Sequence, residues 1–323
     1  MTTGFQMFLL AARELNFSRA AEIAYVTPQC LSDHIRRPEE QFGVTLFVRK
    51  PHLHLTPEGE TMLRYLNRMQ MLESDMENEL ADVSGGSRGV LRLGSPTTRG
   101  TILLPRVITQ FHNQFPHVEV EIRLSDTRNL EEQLLAGKLD LFLGVDASQH
   151  ALFLREGISS EPLYLVISRE VMEERFGSRC GAVREEFHRC GADLTMLRDV
   201  PFVQGHSRST TTMAVEQLFL RENLSLAFPV RVSSFDLHIE FCRTNHCASI
   251  CSHSHLRRVM ELPDDRLEVF AIRNAYQPLK IELIAHRDAQ PLAYRTAFAQ
   301  MLRQQALEEH NAICAWVDSR RIA

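Results

Sequence analysis

The sequence predicts a mixed α/β protein whose N-terminal part is largely helical. Three observations support this fold class. Two short helical patterns joined by a tight turn occupy residues 17–37, and an apolar repeat without glycine or proline follows over residues 60–84. From Val90 onward, short apolar strands alternate with helical patterns, which favours a parallel sheet covered by helices. We therefore expect a helical N-terminal domain, a long helix and an α/β domain, in that order.

The helical pair has the pattern of a helix-turn-helix, a motif that reads DNA. Ser18 can cap the first helix and Thr27 the second, with Pro28 in the first turn, where a missing N–H costs little. Leu31 and Ile35 share one face that can pack on a core, so the polar side chains of the second helix can reach base edges in the major groove. An ordinary amphipathic helix pair is the alternative. The DNA-binding candidates are Ser18, Thr27, Gln29, Cys30, Ser32, Asp33 and Arg36.

Two short β-like segments, residues 43–50 and 53–55, follow the helical pair and predict a wing. Arg49, Lys50 and His52 lie at its turn and are candidates for contacts with DNA phosphates. Thr56 can cap the next helix, with Pro57 in the first turn.

With these motifs in this order, the chain resembles LysR-type transcriptional regulators. The matching segments are residues 17–21, 29–37, 43–49 and 55–59, and the resemblance covers most of residues 5–60. It implies a winged helix-turn-helix over residues 1–59, a linker helix used for dimerisation, and a two-lobed effector domain of the periplasmic-binding-protein type. The implied partners are double-stranded DNA, a small-molecule effector and further copies of the chain, as a tetramer built from dimers. No cofactor, metal or membrane partner is expected.

One residue of the predicted recognition helix departs from this family. Pro38 stands where such proteins usually have an apolar core residue, commonly leucine. A proline inside a helix removes a hydrogen bond and clashes with the carbonyl four residues back, at a cost of roughly 3 kcal/mol. We therefore expect the helix to end near Arg36 or to kink. The acidic Asp33 is also unusual in a helix that approaches phosphates.

The composition is that of a multi-domain globular protein. The 323 residues suggest two or three structural units, and the net charge of −5 leaves room for a local basic surface. The sequence has no N-terminal leader pattern and no apolar run long enough to cross a bilayer. Seven cysteines without a signal peptide indicate reduced thiols, so we expect a cytoplasmic protein.

The apolar repeat after Gly59 predicts one long helix. Its members are Leu63, Leu66, Met69, Leu72, Met76 and Leu80, spaced three or four residues apart. Such a stripe needs a partner, which is either a second copy of the chain or the helix's own domain; the pattern and the resemblance both favour self-association. We assign residues 60–88 to this linker helix and the hinge that follows it. The serines and glycines of residues 84–89 predict that the hinge is flexible.

The remaining residues predict two α/β lobes. Strands over residues 90–94, 118–124 and 139–144 form the first lobe, with a hydroxyl-rich turn over residues 95–100 and helices over residues 103–115 and 129–136 between them. We bound this lobe at about residues 89–162 and 268–305. The second lobe spans about residues 163–267. Its segment of residues 168–198 is longer than expected and has room for an extra helix. Residues 267–272 are predicted to cross back to the first lobe, a final helix spans about 291–309, and residues 306–323 form a tail.

Two segments of the α/β part are candidates for a ligand site. Ligands of open α/β sheets bind beyond the carboxyl ends of strands, where helix N-termini offer free N–H groups, and hydroxyl-rich segments at such positions suit a small anion. Alternatively, Ser95, Ser207 and Ser209 only cap helices. The resemblance favours an effector in the cleft, and the candidates are Ser95, Pro96, Thr97, Thr98, Gly144, Asp146, Gln204, His206, Ser207, Thr210 and Cys247.

Residues 242–255 hold three cysteines and three histidines. Their spacing does not match a paired Cys-x-x-Cys zinc site, so three interpretations stay open: small buried side chains, lining of the cleft, or a metal- or redox-sensing site. Cys180 and Cys190 are a further candidate pair.

The sequence lacks the common hydrolase, P-loop, zinc-protease and dinucleotide-binding motifs, so we expect no enzyme. The leading hypothesis is an effector-controlled DNA-binding regulator. The alternatives are a solute-binding module with a weakened DNA reader and a metal- or redox-sensing regulator.

Overall fold

A computed structural model describes residues 1–83, 89–206, 209–224, 227–244, 247–262, 266–273 and 277–322. The first compact unit comprises residues 1–85 and 135–138, and the second comprises residues 86–134 and 139–323. The predicted hinge, apart from Gly89, lies outside the described residues. Within the described residues, no helix combines the length and the apolar character needed to cross a bilayer.

The first unit is built from three short helices, a two-stranded wing and a long helix. These are α1 (Thr3–Glu14), α2 (Phe17–Ile23), α3 (Pro28–Phe42), β1 (Phe47–Val48), β2 (His54–Leu55) and α4 (Pro57–Val83). The Thr27 hydroxyl accepts a hydrogen bond from the Cys30 N–H at 3.2 Å, which confirms the predicted cap of α3. The predicted cap of α2 is wrong: the Asn16 side chain accepts from the Arg19 N–H, and Ser18 lies inside the first turn.

Pro38 is accommodated inside α3. The helix continues to Phe42, so the expectation that it ends near Arg36 is wrong. Pro38 is buried, and its ring leaves the His34 carbonyl without an N–H from four residues ahead. Gly4 of α1 faces this carbonyl, because a Cβ added there would lie 3.2 Å from the His34 oxygen. A glycine therefore lets α1 approach α3 closely where the proline interrupts the hydrogen bonds.

The wing is tied to the start of α4 through Thr56. β1 and β2 pair antiparallel, with Phe47 opposite Leu55. The Thr56 hydroxyl donates to the Thr45 carbonyl at 2.6 Å and accepts from the Gly59 N–H at 2.9 Å, which confirms the predicted cap. Gly59 is required by close packing, since a Cβ at this position would lie 2.1 Å from the Leu46 carbonyl oxygen.

The second unit contains two five-stranded sheets. The first has the order β4-β3-β5-β12-β6, formed by β3 (Gly89–Ser95), β4 (Val118–Leu124), β5 (Leu141–Val145), β6 (Phe153–Glu161) and β12 (Leu279–His286). β3 runs parallel to β4 and β5, which confirms the predicted parallel core, and β12 is antiparallel to β5 and β6. The helices between these strands are α5 (Thr97–Gln114) and α6 (Thr127–Leu135). α5 starts six residues earlier than predicted, so residues 97–100 are helical and not part of a turn.

The second sheet has the order β11-β7-β10-β8-β9. Its strands are β7 (Leu163–Ser168), β8 (Pro201–Gln204), β9 (Ala227–Arg231), β10 (Ala248–Ser252) and β11 (Leu267–Ala271). β11 pairs with β7, so the prediction that this strand returns to the first lobe is wrong. The helices of this region are α7 (Arg169–Phe176), α8 (Cys180–Cys190), α9 (Thr210–Arg221), α10 (Phe235–Thr244) and α11 (Leu256–Glu261).

Two features of this region differ from the sequence prediction. The long segment before β8 holds two helices, α7 and α8, where one extra helix was expected. Cys180 and Cys190 lie at opposite ends of α8, about 15 Å apart at the helical rise, so they cannot form a disulfide.

The last helix, α12 (Ala293–Ile322), extends past its predicted end at Glu309. Near its start, Phe298 packs edge to face on Phe111 of α5, with ring centroids 5.1 Å apart. Near its end, Ile313 and Val317 pack with Val166 of β7. The helix thus contacts the elements of both sheets, and the segment for which the sequence indicated no role supplies buried apolar side chains.

Candidate DNA-binding surface and effector cleft

The predicted DNA-binding side chains lie on α2, α3 and the wing. Ser18, Gln29, Arg36, Arg49, Lys50 and His52 are exposed, whereas Cys30, Ser32 and Asp33 are half-buried. Thr27 is exposed, but its hydroxyl already caps α3. The structure therefore presents an outward polar face on the helix that the sequence identified as the reader.

Arg36 is surrounded by acidic groups of its own helix. Its guanidinium lies 3.4 Å from Asp33 and 3.3 Å from Glu40, and the Gln29 amide donates to Asp33 at 3.4 Å. All of these contacts are exposed, and exposed ion pairs contribute at most about 1 kcal/mol. They hold Arg36 weakly, so a DNA phosphate can replace them.

Arg49 of the wing is positioned by an aromatic ring. Its guanidinium carbon lies 5.2 Å from the centre of the Phe17 ring, at the start of α2. This cation–π contact orients a side chain that otherwise extends from an exposed turn. The positive tip of the wing is thereby placed beside the helix-turn-helix.

Tyr25 is a surface residue for which the sequence patterns predict no role. It stands in the turn between α2 and α3, has a backbone φ of +54°, and is 97% exposed. Non-glycine residues seldom adopt this conformation. The turn therefore presents a phenol to solvent at the entry to the reader helix, and the only sequence signal for it is its place directly before the Val26–Thr27 turn.

The apolar repeat of α4 divides into two parts. Leu66 is buried in the core of the first unit, and Leu63 packs against that core. The following members are exposed together with one aromatic residue, and we call this set the linker stripe: Tyr65, Met69, Leu72, Met76 and Leu80. One face of a helix that carries five exposed large apolar side chains is typical of an interaction surface.

A cleft of about 970 Å³ lies between the two sheets of the second unit. Six of the predicted effector residues line it, namely Pro96, Thr97, Thr98, Gln204, His206 and Thr210. Ser95, Gly144, Asp146 and Cys247 are not among its lining residues, and Ser207 lies outside the described residues.

The four misplaced candidates have structural roles. The buried Ser95 hydroxyl donates to the Pro96 carbonyl at 3.1 Å, so it does not cap α5. Gly144 packs under Ile284, where a Cβ would lie 2.7 Å from a methyl carbon. The Asp146 carboxylate accepts a hydrogen bond from the Lys280 N–H at 2.8 Å, and Cys247 is buried.

The start of α5 offers uncapped N–H groups to the cleft. Pro96 is the N-cap and provides no side-chain hydrogen bond, while Thr97, Thr98 and Arg99 of the first turn line the cleft. At α9, by contrast, Ser209 accepts from the Thr212 N–H, so for this serine the capping interpretation is confirmed. An uncapped helix N-terminus favours an anion.

Gln204 brings a buried acceptor to the same cleft. Its amide nitrogen donates to the Glu216 carboxylate at 2.9 Å, which fixes the orientation of the amide. Its Oε1 atom is buried and has no hydrogen-bond partner among the described residues. Apolar walls formed by Ile102, Phe202 and Phe219 complete the site.

A buried ion pair that the sequence did not reveal joins the two sheets at the cleft. Arg99 of α5 lies 2.7 Å from Glu161 at the end of β6, and it also donates to the Ser252 hydroxyl at the end of β10, at 3.2 Å. Ser254 donates to Glu161 through its N–H at 3.1 Å and through its hydroxyl. Burial raises the pKa of Glu161, but Arg99 and the Ser254 hydrogen bonds outweigh it and lower the pKa to about 2.

Two histidines of the cleft are neutral at physiological pH. His238 lies 3.1 Å from the Ser249 hydroxyl, and burial lowers its pKa. Burial, together with the nearby Arg99, lowers the pKa of His255 to about 3. Four arginines also line the cleft, Arg99, Arg106, Arg257 and Arg258. Three of them form ion pairs: Arg99 with Glu161, Arg257 with Glu261 and Glu309, and Arg258 with Asp236.

The cysteines of residues 242–255 lie in the interior. Cys242, Cys247 and Cys251 are buried, and burial raises the pKa of each thiol. Thiols of this kind are unreactive because little thiolate forms. This supports the interpretation of small buried side chains. One member of the segment, His253, lies beside His310 and Cys314 of α12.

Comparison with known proteins identifies two family models that together span most of the chain. Residues 3–60 match the bacterial regulatory helix-turn-helix protein, lysR family, and residues 84–307 match the LysR substrate binding domain. A probable RuBisCO transcriptional regulator of Thalassiosira pseudonana is 32% identical over 292 residues, which are 88% of this chain and 91% of the relative.

Solved structures show the same fold. A full-length OxyR variant from Pseudomonas aeruginosa superposes with a TM-score of 0.62 and 21% identity, over 95% of this chain and 94% of that chain. Full-length CbnR complexed with its target DNA superposes with a TM-score of 0.53 and 20% identity, over 94% of this chain and 98% of that chain.

Proposed function

Since the chain belongs to the LysR family and is a DNA-binding transcriptional regulator with an effector-binding domain, we propose that α3 and the wing bind operator DNA and that a small anion in the cleft controls this binding. The family membership confirms the predicted fold class and regulatory function, and with them the expectation that the chain is not an enzyme. In this proposal, residues 1–59 read DNA, residues 60–88 form the dimerisation helix and hinge, and residues 89–305 bind the effector.

The proposed DNA contacts divide into base readout and phosphate contact. Gln29 and the half-buried Ser32 lie in the first two turns of α3, which is the part of a reader helix that contacts base edges, and the exposed Arg36 lies on the next turn. Arg49 and Lys50 of the wing contact phosphates, and the Phe17 ring holds Arg49 in place. CbnR, a protein of similar fold, has been solved in complex with its target DNA, which supports DNA binding by this fold.

The observation that carries the proposed effector class is the uncapped start of α5 at the cleft. Backbone N–H groups at residues 97–99, together with Arg106 of the cleft lining, favour a carboxylate or another small anion. The buried Gln204 Oε1 calls for a hydrogen-bond donor on the same molecule, and the phenylalanine walls call for an apolar portion.

The linker stripe supports a dimer through α4. Its five exposed apolar side chains would be covered by the same helix of a second copy, as in an antiparallel or parallel helix pair. Two such dimers joined through their effector domains would give a tetramer. Because its proposed target is chromosomal DNA, we place the regulator in the bacterial cytoplasm.

Gel retardation with the DNA just upstream of the gene tests the proposed DNA binding. We expect a specific shift that weakens as salt is raised, since phosphate contacts release counterions. Arg49→Ala should weaken binding to every sequence and reduce the slope of log K against log salt by about 1, whereas Arg198→Ala, an exposed arginine of the second unit, should change neither. An unchanged slope for Arg49→Ala would refute its phosphate contact. No specific shift from a folded oligomer would favour a solute-binding module with a weakened reader.

Thermal shift with pairs of small molecules tests the effector class. Each pair consists of a carboxylate and its uncharged amide, with aliphatic or aromatic substituents. We expect the melting temperature to rise for a carboxylate and to stay unchanged for its amide, because the α5 N–H groups and Arg106 favour the charge. Equal shifts for acid and amide would contradict an anion site.

A further inference from the structure

Three metal-ligating side chains meet where α12 passes the end of β10. His310 and Cys314 are four residues apart on α12 and therefore share one face of the helix. His253 directly follows β10. The Cys314 Sγ atom lies 3.7 Å from His310 Nε2 and 3.9 Å from His253 Nε2, and one donor atom from each of the three residues lies within 4.8 Å of the others.

These separations are close to those of a tetrahedral metal site. Zinc binds sulfur at roughly 2.3 Å and imidazole nitrogen at roughly 2.0–2.1 Å, so neighbouring donors of a tetrahedron lie roughly 3.3–3.6 Å apart. The observed distances from Cys314 are longer by a few tenths of an ångström, which small side-chain rotations can close.

The surroundings of the two histidines also suit a metal ion. The Nδ1 atoms of His253 and His310 are buried without a hydrogen-bond partner among the described residues. Among the described residues, a metal would displace the contact of His253 Nε2 with the His310 carbonyl, at 3.1 Å, and the two contacts of Cys314 Sγ with the imidazoles.

We propose that His253, His310 and Cys314 bind a transition-metal ion of the Zn²⁺ class, with one coordination position left open. A thiolate and two imidazoles select zinc or copper over Mg²⁺ and Ca²⁺, which take oxygen ligands. The ion fastens α12 to the end of β10. His253 stands between Ser252, which accepts a hydrogen bond from Arg99, and Ser254, which donates to Glu161. The ion therefore also fixes the segment that contacts this ion pair.

Cobalt substitution in the full-length protein tests the site. Protein stripped with a chelator and kept under a phosphine reductant is titrated with Co²⁺ and then with Zn²⁺. We expect one Co²⁺ per chain, a thiolate-to-cobalt charge-transfer band in the near ultraviolet, intense visible bands typical of four-coordination, and loss of all bands when Zn²⁺ is added.

Variants on the half-buried side of α12 separate this site from surface binding. Cys314→Ser should abolish the charge-transfer band, and His310→Gln should weaken Zn²⁺ binding roughly 100-fold or more, because losing a ligand exceeds the effect of losing an outer-shell partner. Cys190→Ser removes an exposed thiol elsewhere and should change neither. Zn²⁺ should raise the melting temperature of the wild type and of Cys190→Ser, but not of Cys314→Ser.

Two results would overturn the proposal. One is a folded wild-type protein, verified by circular dichroism, that gives no charge-transfer band. The other is an equal metal stoichiometry and affinity in the wild type, Cys314→Ser and His310→Gln, which would assign the ion to surface histidines.

Discussion

The buried pair of Arg99 and Glu161 gives a quantitative prediction for Glu161→Gln. Both side chains are 4% exposed, and the substitution keeps the shape of the side chain while leaving the guanidinium without its counter-charge. Breaking a buried ion pair from one side costs roughly 3–5 kcal/mol. The pKa gives a second figure: its fall from an ordinary 4.5 to about 2 corresponds to about 3 kcal/mol of stability at neutral pH.

The same ion pair sets a pH window for this loss. The pKa of Glu161 is lower in the folded chain than in the unfolded chain, so its contribution is complete above about pH 4.5 and is lost as the pH falls through about 2. The difference in unfolding free energy between the wild type and Glu161→Gln should therefore be full at pH 7. It should shrink steadily as the pH is lowered from 4.5.

Urea unfolding followed by tryptophan fluorescence measures this difference. Trp316, the single tryptophan of the chain, lies on α12 and reports on the second unit. Glu156→Gln is a matched control on the same strand, because its ion pair with Arg303 is half exposed and should contribute at most about 1 kcal/mol. Equal losses for the two variants at pH 7, or no loss for Glu161→Gln, would refute the argument that burial makes this pair strong.

Two further predictions concern the first unit. Gly59→Ala should destabilise it by about 2 kcal/mol, because the new Cβ would lie against the Leu46 carbonyl oxygen; Gly157→Ala, which has open space, should be neutral in the same thermal unfolding assay. Leu72→Glu places a charge in the linker stripe and should dissociate the dimer in sedimentation velocity experiments, whereas Gln70→Glu adds the same charge off the stripe and should not. Unchanged sedimentation of Leu72→Glu would mean that α4 is not the dimer interface.

The parts of the fold that depend on local signals were predictable from the sequence. The cap at Thr27, the wing and the start of α4 each depend on residues that lie close together in the chain, and all three were located correctly. By contrast, the hydroxyl residues of the first turn of α5 predict a turn, whereas the structure has a helix there. There the N–H groups remain uncapped because they face the cleft, a tertiary reason that no local pattern contains.

Pro38 shows how a local rule fails when a distant residue compensates. The proline rule predicts a helix end, and the cost that it describes is real for an exposed helix. In this chain, Gly4 lets α1 pack against the His34 carbonyl, which Pro38 leaves without its helical hydrogen bond, and the proline itself is buried. The compensation joins residues more than thirty positions apart, so only the folded structure reveals it.

The buried ion pair and the three candidate metal ligands are even less predictable from local sequence, because their members are farther apart in the chain. Glu161 lies 62 residues from Arg99 and 93 from Ser254, and His253 lies 61 from Cys314. The segment of residues 242–255 attracted attention by its cysteines, yet these are the residues that the fold buries in the interior. Its His253 gains a candidate ligand role only because α12 continues past residue 309 and carries His310 and Cys314 to the end of β10. The length of α12 thus decides which residue of the 242–255 segment can bind a metal. That length depends on the buried contacts of Ile313 and Val317, which lie outside the segment.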